Sequence, residues 1–186
     1  MHFNNPLPNT TMNHQGVSEI SFEETYSVPP EQTARALFSR LPHGSDYASR
    51  LIECLATGYL VAVIESICIR EMQRHVDPVL EVVVGRTIQL EHKGPIPPGS
   101  ALKLRGWLER LGDRSATFCV QVSDDHEVVC ESSVTLVAAR RASMESRIAA
   151  KLRTLVANAG GDIHGGARGG CAARAWTSSS QACETS

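Results

Sequence analysis

Strand-like segments, in which apolar and polar positions tend to alternate with a period of two, recur between residues 20 and 138, with one long exception among them. Ile20-Ser-Phe-Glu-Glu-Thr-Tyr-Ser-Val28 alternates and predicts a strand, which Pro29-Pro30 ends. Pro30 to Leu41 predicts a short helix carrying Ala34, Leu37 and Phe38, and Pro42-His-Gly-Ser45 predicts a loop. The exception follows. From about Leu55 to Val76 the apolar residues lose the two-residue period and read as one long helix, stopped by Asp77-Pro78. Four strands are then predicted, at Val79 to Leu90, Leu102 to Glu109, Ala116 to Val122 and Val128 to Ala138. The turns between them are Lys93-Gly-Pro-Ile-Pro-Pro-Gly99, Gly112-Asp113 and Asp124-Asp125. A last helix is expected from Ala142 to about Val156, with Ile148, Leu152 and Leu155 on one face. One strand, one apolar helix and four antiparallel strands predict an α+β fold, a sheet wrapped around a single helix. A helix apolar on nearly every side needs more cover than one sheet face gives, so self-association is expected.

Composition narrows the class. The 186 residues suit one domain with a proper core. Hydrophobic content of 42% and charged content of 20% are ordinary for a globular chain. The net charge of −2 gives no sign of a nucleic-acid or membrane partner. No apolar run reaches the length of a membrane span, and the N-terminus lacks the basic stretch and apolar core of a secretory signal, so a cytoplasmic location is expected. Six cysteines show no Cys-x-x-Cys pair and no metal-ligand spacing, so neither a metal nor a cofactor is expected. Cys68, Cys119 and Cys130 fall in apolar segments and read as core residues. Residues 1–17, rich in Asn, Pro, Thr and His, read as a disordered leader, and residues 158–186 as a disordered Gly/Ser-rich tail. The expected domain is 18–157.

The chemistry begins with Glu65, a carboxylate in the middle of the apolar helix, where burial is costly without pairing or protonation. Thr57 opens the same helix and His92 follows the next strand. Hydroxyl, carboxylate and imidazole are the parts of a hydrolytic site. On one straight helix Thr57 and Glu65 stand roughly 12 Å apart, too far to hydrogen-bond. Either Thr57 lies on a loop that folds back, or the reacting group bridges them, or one of them comes from a partner subunit. Plainer readings compete: Thr57-Gly58 as a helix N-cap, Glu65 tied to a core Arg, His92 as a loop residue.

The set has a recognisable context. Ala56-Thr57-Gly58-Tyr59-Leu60-Val61, Ile64-Glu65, Cys68-Ile69-Arg70, then Gly85 seven residues before His92 and the turn Pro97-Pro98-Gly99 resemble the fluoroacetyl-CoA thioesterase-like family. The resemblance spans about Phe22 to Ala138. It implies a hotdog fold, a homodimer with acyl-thioester sites at the subunit interface, and hydrolysis of an acyl-CoA to an acid and free CoA. It assigns Thr57, Glu65 and His92 to catalysis and Gly85 to substrate binding. The fluoroacetyl-specific members carry two phenylalanines ahead of the Ala-Thr-Gly. Here that stretch is Asp46-Tyr-Ala-Ser-Arg-Leu-Ile-Glu-Cys54, which leaves Tyr47 and Leu51 as the expected substrate-binding residues and argues against selectivity for a fluorinated substrate. The late-strand Arg of the family is replaced by Ser133-Val-Thr135.

Two other functions compete with an acyl-CoA thioesterase. A non-catalytic hotdog module could bind an acyl thioester as a sensor or assembly partner, but a buried Glu has no use there. Hydration of an enoyl thioester relies on an Asp/His pair that this helix lacks.

Overall fold

The computed structural model describes residues 20–161. They fall into two units, one ending at Glu145 and one beginning at Ser146. The first holds five strands and three helices: β1 (Ser21–Ser27), α1 (Ala34–Phe38), α2 (Ser45–Ala48), α3 (Thr57–Gln73), β2 (Glu81–His92), β3 (Ala101–Leu111), β4 (Ser115–Ser123) and β5 (Val128–Arg140). The start of α4 (Arg141–Gly161) belongs to this unit, and the rest of that helix is what is described of the second.

All strand pairs are antiparallel, in the order β1-β3-β4-β5-β2, which leaves β1 and β2 as the two edges. One sheet face carries Leu102, Leu104, Phe118, Val120, Val122, Val134 and Leu136, all buried. Helix α3 lies on that face and sends Leu60, Ile64, Cys68 and Met72 into it at four-residue intervals. Each such side chain contributes about 1.5–3 kcal/mol by leaving water. The expected sheet-around-helix arrangement is what forms.

Helix α3 is not buried on every side, however. Ala62, Ser66 and Arg70 are exposed, and Glu65 is half-buried rather than sunk in the core. The buried carboxylates are others: Glu71, 6% exposed, held by Arg70 and Arg74, and Glu81, 3% exposed, paired with Arg114 at 2.8 Å. Cys68 and Cys130 are core residues as expected, and burial pushes the Cys68 thiol up to about 12. Cys119 is not. It pairs across β3 with the exposed Trp107 and across β5 with Ser133, on the face away from α3.

The segment before α3 departs from the simple helix-and-loop expectation. Pro30–Gln32 forms one 3₁₀ turn and Thr33 then caps α1, its Oγ1 accepting from the Ala36 N–H. A further short helix, α2, which was not expected, starts at Ser45, the last residue of the expected loop. At the other end, α4 runs on to Gly161, since Ala157-Asn158-Ala159 contains no breaker and the first glycine pair is Gly160-Gly161. The expected leader lies outside the described residues, and so does the expected tail from residue 162 onward. No described helix is long and apolar enough to cross a membrane.

Candidate active site

The N-terminus of α3 is pinned by the junction between the 3₁₀ turn and α1 and by the turn after β2. Thr33 and Leu55 form an isolated antiparallel bridge, Ala34 N–H donates to the Cys54 carbonyl and Ala56 N–H to that of Gln32. Leu55 N–H donates to Ile96 O at 2.7 Å, tying the helix start to the Pro-rich turn after β2. That turn is short, so the end of β2 comes with it. Two residues widely separated in sequence therefore meet: Thr57 Oγ1 and His92 Nδ1 share a hydrogen bond of 3.0 Å.

This contact corrects the N-cap reading of Thr57. Ala56 occupies the cap position with extended backbone, Thr57 is the first helical residue, and its hydroxyl goes to the imidazole instead of a backbone N–H. His92 is not a loop residue either. It is the last residue of β2, half-buried, on the same face as α3. Burial holds its pKa below the ordinary 6.5, against a smaller opposing effect of the Gly94 backbone. The ring is thus neutral at pH 7 and carries one proton. Its Nε2 is buried and has no hydrogen-bond partner among the described residues. A buried polar atom left in that state costs about 1–3 kcal/mol, and a group outside the chain can relieve it.

Glu65 stands apart from this pair. Both Thr57 and Glu65 are on the same regular helix, so eight residues put them roughly 12 Å apart. The carboxylate turns toward β2 and rests on Gly85, where even a methyl group would overlap Oε1. Among the described residues Glu65 forms no ion pair, so the reading of a carboxylate tied to a core Arg does not hold. Gly85 itself is exposed although its neighbour across the ladder, Leu136, is buried. The carboxylate is half-buried over this exposed glycine and is not sealed in the core. One chain therefore presents two separate pairs, Thr57 with His92 and Glu65 with Gly85.

Tyr47 and Leu51 lie in the connection leading into α3. Tyr47 is 43% exposed and packs its ring on Phe38, with centroids 5.9 Å apart. Leu51 is half-buried, and its carbonyl accepts from Arg35 at 2.9 Å. Neither hydrogen-bonds to the Thr57–His92 pair. Leu37 of α1 comes close to Gly58, so this apolar cover sits beside the Thr57 end of the helix. No cluster of three or more His, Cys, Asp or Glu that could hold a metal ion occurs among the described residues.

A sequence model of the fluoroacetyl-CoA-specific thioesterase family matches residues 42–141, a little over half of the chain. The chain belongs to that family. Its enzymatic class is therefore thioesterase. A fluoroacetyl-CoA thioesterase from Streptantibioticus cattleyicolor is 28% identical over 103 residues, 55% of this chain and 70% of that protein. The solved structure of a fluoroacetyl-CoA thioesterase superposes with a TM-score of 0.64 at 22% identity, covering 72% of this chain and 95% of that one. A hot-dog-like protein from Thermanaerovibrio acidaminovorans gives 0.61 at 13% identity, over 72% and 91% of the two chains. A thioesterase superfamily member from Thermus thermophilus gives 0.64 at 16%, over 75% and 96%. The fold is the α+β hotdog. The family match starts at residue 42 and so takes in Tyr47, Leu51, Thr57, Glu65, Gly85 and His92 together.

Sequence reasoning missed one feature next to these candidate residues. β2 contains a bulge: Gly85 pairs with Leu136 and Thr87 with Thr135, so Arg86 is an extra residue with no partner in the ladder. A Gly inside an otherwise regular strand was the available signal.

Proposed function

We propose that this thioesterase hydrolyses an acyl-CoA to a carboxylic acid and free CoA, at sites formed between two copies of the chain. The observation that carries the reading is the 3.0 Å Thr57–His92 pair, whose Nε2 has no hydrogen-bond partner among the described residues, with Thr57 on the same helix as a Glu65 carboxylate it cannot reach. In a homodimer the Thr57 and His92 of one copy face the Glu65 and Gly85 of the other. β2 is an open edge of the sheet and supports such a pairing, because its N–H and C=O groups on that side have no strand beside them.

The chemistry follows from the groups. Glu65 takes a proton from a water whose oxygen adds to the thioester carbonyl, or adds to that carbonyl itself to give a mixed anhydride that water then hydrolyses; in either case the C–S bond breaks and CoA leaves as the thiolate. The carbonyl oxygen gathers negative charge and needs donors aimed at it, which backbone N–H groups at the start of α3 can supply. Thr57 fixes the orientation of the neutral His92, which donates a hydrogen bond to the charge developing on the substrate, and the leaving thiolate of CoA takes up the proton drawn from water. Tyr47 and Leu51 cover the acyl group. The lack of paired phenylalanines in this cover supports an acyl group other than fluoroacetyl.

Mixing inactive variants tests both halves of the proposal. Thr57→Val and Glu65→Gln are each expected to abolish thiol release from acyl-CoA substrates while remaining folded. Unfolded together and refolded, they form heterodimers in which one site regains Thr57, His92 and Glu65. Random assortment then restores about a quarter of the wild-type activity. If the site were complete within one chain, the mixture would stay inactive. Binding of acyl-CoA by the wild type with no thiol release would identify a sensor instead.

A further inference from the structure

β2 shows a second irregularity at its bulge. Buried or half-buried residues alternate with more exposed ones along the strand, but Gly85, Arg86 and Thr87 are exposed in succession. Arg86 is the extra residue of the bulge, freed from the ladder that holds its neighbours. A bulge re-aims the side chain it carries. Most cations close to the site's elements are committed to carboxylates: Arg70 to Glu24 and Glu71, Arg74 to Glu71, Lys93 to Glu131, Arg114 to Glu81. Arg86 forms no ion pair or hydrogen bond with any described residue, although it directly follows the glycine on which the Glu65 carboxylate rests.

A free guanidinium beside a catalytic carboxylate needs a reason. If its task were to neutralise Glu65, an ion pair between them would form, and none does. A guanidinium has five N–H donors in a planar fork that fits carboxylate and phosphate oxygens. We propose that Arg86 is a specificity-determining residue that binds an oxyanion of the thioester substrate. This rests on the proposed acyl-CoA hydrolysis and adds a charge requirement to it. The oxyanion has two possible sources, a phosphate of CoA or a carboxylate at the far end of the acyl group, and both offer the same chemistry to the fork.

Three thioesters separate these sources: acetyl-CoA, succinyl-CoA and the acetyl thioester of N-acetylcysteamine, which has no phosphate. Each is assayed with wild type, Arg86→Gln and Arg86→Lys, and binding of the two CoA esters is measured by calorimetry. A charge-assisted contact predicts that Arg86→Gln raises KM about tenfold with kcat nearly unchanged, and that Arg86→Lys recovers part of the loss. With a CoA phosphate as ligand, both CoA esters lose and the N-acetylcysteamine ester does not. With an acyl carboxylate as ligand, only succinyl-CoA loses. Equal losses on all three substrates would assign the effect to a distorted bulge and overturn the proposal, as would no loss on any. If the wild type releases no thiol, it is the hydrolysis reading that fails. Calorimetry then decides Arg86 alone: weaker binding of either CoA ester by Arg86→Gln supports it, and unchanged binding of both overturns it.

Discussion

Gly85→Ala separates the cost of a perturbation to the fold from its cost to the chemistry. The new methyl would overlap Oε1 of Glu65, lie 3.1 Å from Cδ and 3.8 Å from Cγ. The conflict is confined to the tip of a flexible side chain, so the carboxylate swings aside and the backbone stays in place. Pushing Glu65 off its preferred rotamer costs about 0.5–1.5 kcal/mol. Against this, replacing a strand glycine without a positive φ by alanine stabilises by about 0.4–1 kcal/mol, because the unfolded chain loses freedom. The net change in stability is within about 1 kcal/mol of zero, a shift of a few degrees in Tm. Activity responds differently. A carboxylate displaced by about 1 Å from its productive position loses about 10²-fold in rate. Thermal melts read the first quantity and thiol release from an acyl-CoA the second. A Gly85→Ala protein with more than half the wild-type kcat would refute the reasoning, since Glu65 would then have no need of the space over Gly85. A large fall in Tm with no recovery in Gly85→Ala/Glu65→Ala would refute it too, by showing that something other than Glu65 is displaced.

Three more outcomes follow from particular contacts. Thr57→Val keeps the shape of an exposed side chain and removes the hydrogen bond to His92 Nδ1, so it should leave Tm within a few degrees and lower kcat by about 10²- to 10⁴-fold, to the background of the assay, read by circular dichroism and thiol release. Because burial holds the His92 pKa below 6.5, the unfolded chain binds its proton first as pH falls; stability should be level above pH 6.5 and decline below it, and His92→Asn should flatten that part of a melting profile. Arg114→Met strands the Glu81 carboxylate and the Ala138 carbonyl to which Arg114 also donates; with Arg114 itself partly exposed, the expected loss is about 2–3 kcal/mol in denaturant titration, and Arg114→Met/Glu81→Gln should recover part of it.

The strands could be read from the sequence because one face of each is buried and the other is wet, so the period of two survives in the residues themselves. The observed β3, Ala101–Leu111, differs from the expected Leu102 to Glu109 by only one or two residues at each end. Helix α3 was legible for a different reason, as the one stretch where the period fails. What could not be read was how far it is buried. Glu65 stood out as a charge among apolar residues, yet the fully buried carboxylates are Glu71, in a polar helix end, and Glu81, at the start of an apolar strand. Their burial depends on Arg114, 33 residues beyond Glu81, and on Arg70 and Arg74 folding over Glu71. Sequence spacing holds no trace of the first and only an ordinary helix pattern for the second. The same limit applies to the site. Thr57 and His92 were each legible as candidates, but their contact follows from Leu55 bonding to Ile96 across the turn, a long-range tie that no local pattern encodes.

The bulge at Arg86 settles a question of parity. Gly85 and His92 are seven residues apart, an odd number, and an unbroken strand would send them to opposite faces of the sheet. On the partner strand Leu136 and Cys130 are six apart, an even number, and share a face. The extra residue in β2 absorbs the difference. It is what allows the glycine beneath the carboxylate and the imidazole beside the threonine to look toward the same helix. Deleting residue 86 would remove no side chain from the Thr57–His92 pair or the Glu65–Gly85 pair, yet it would turn Ile88, Leu90 and His92 outward together and part His92 from Thr57.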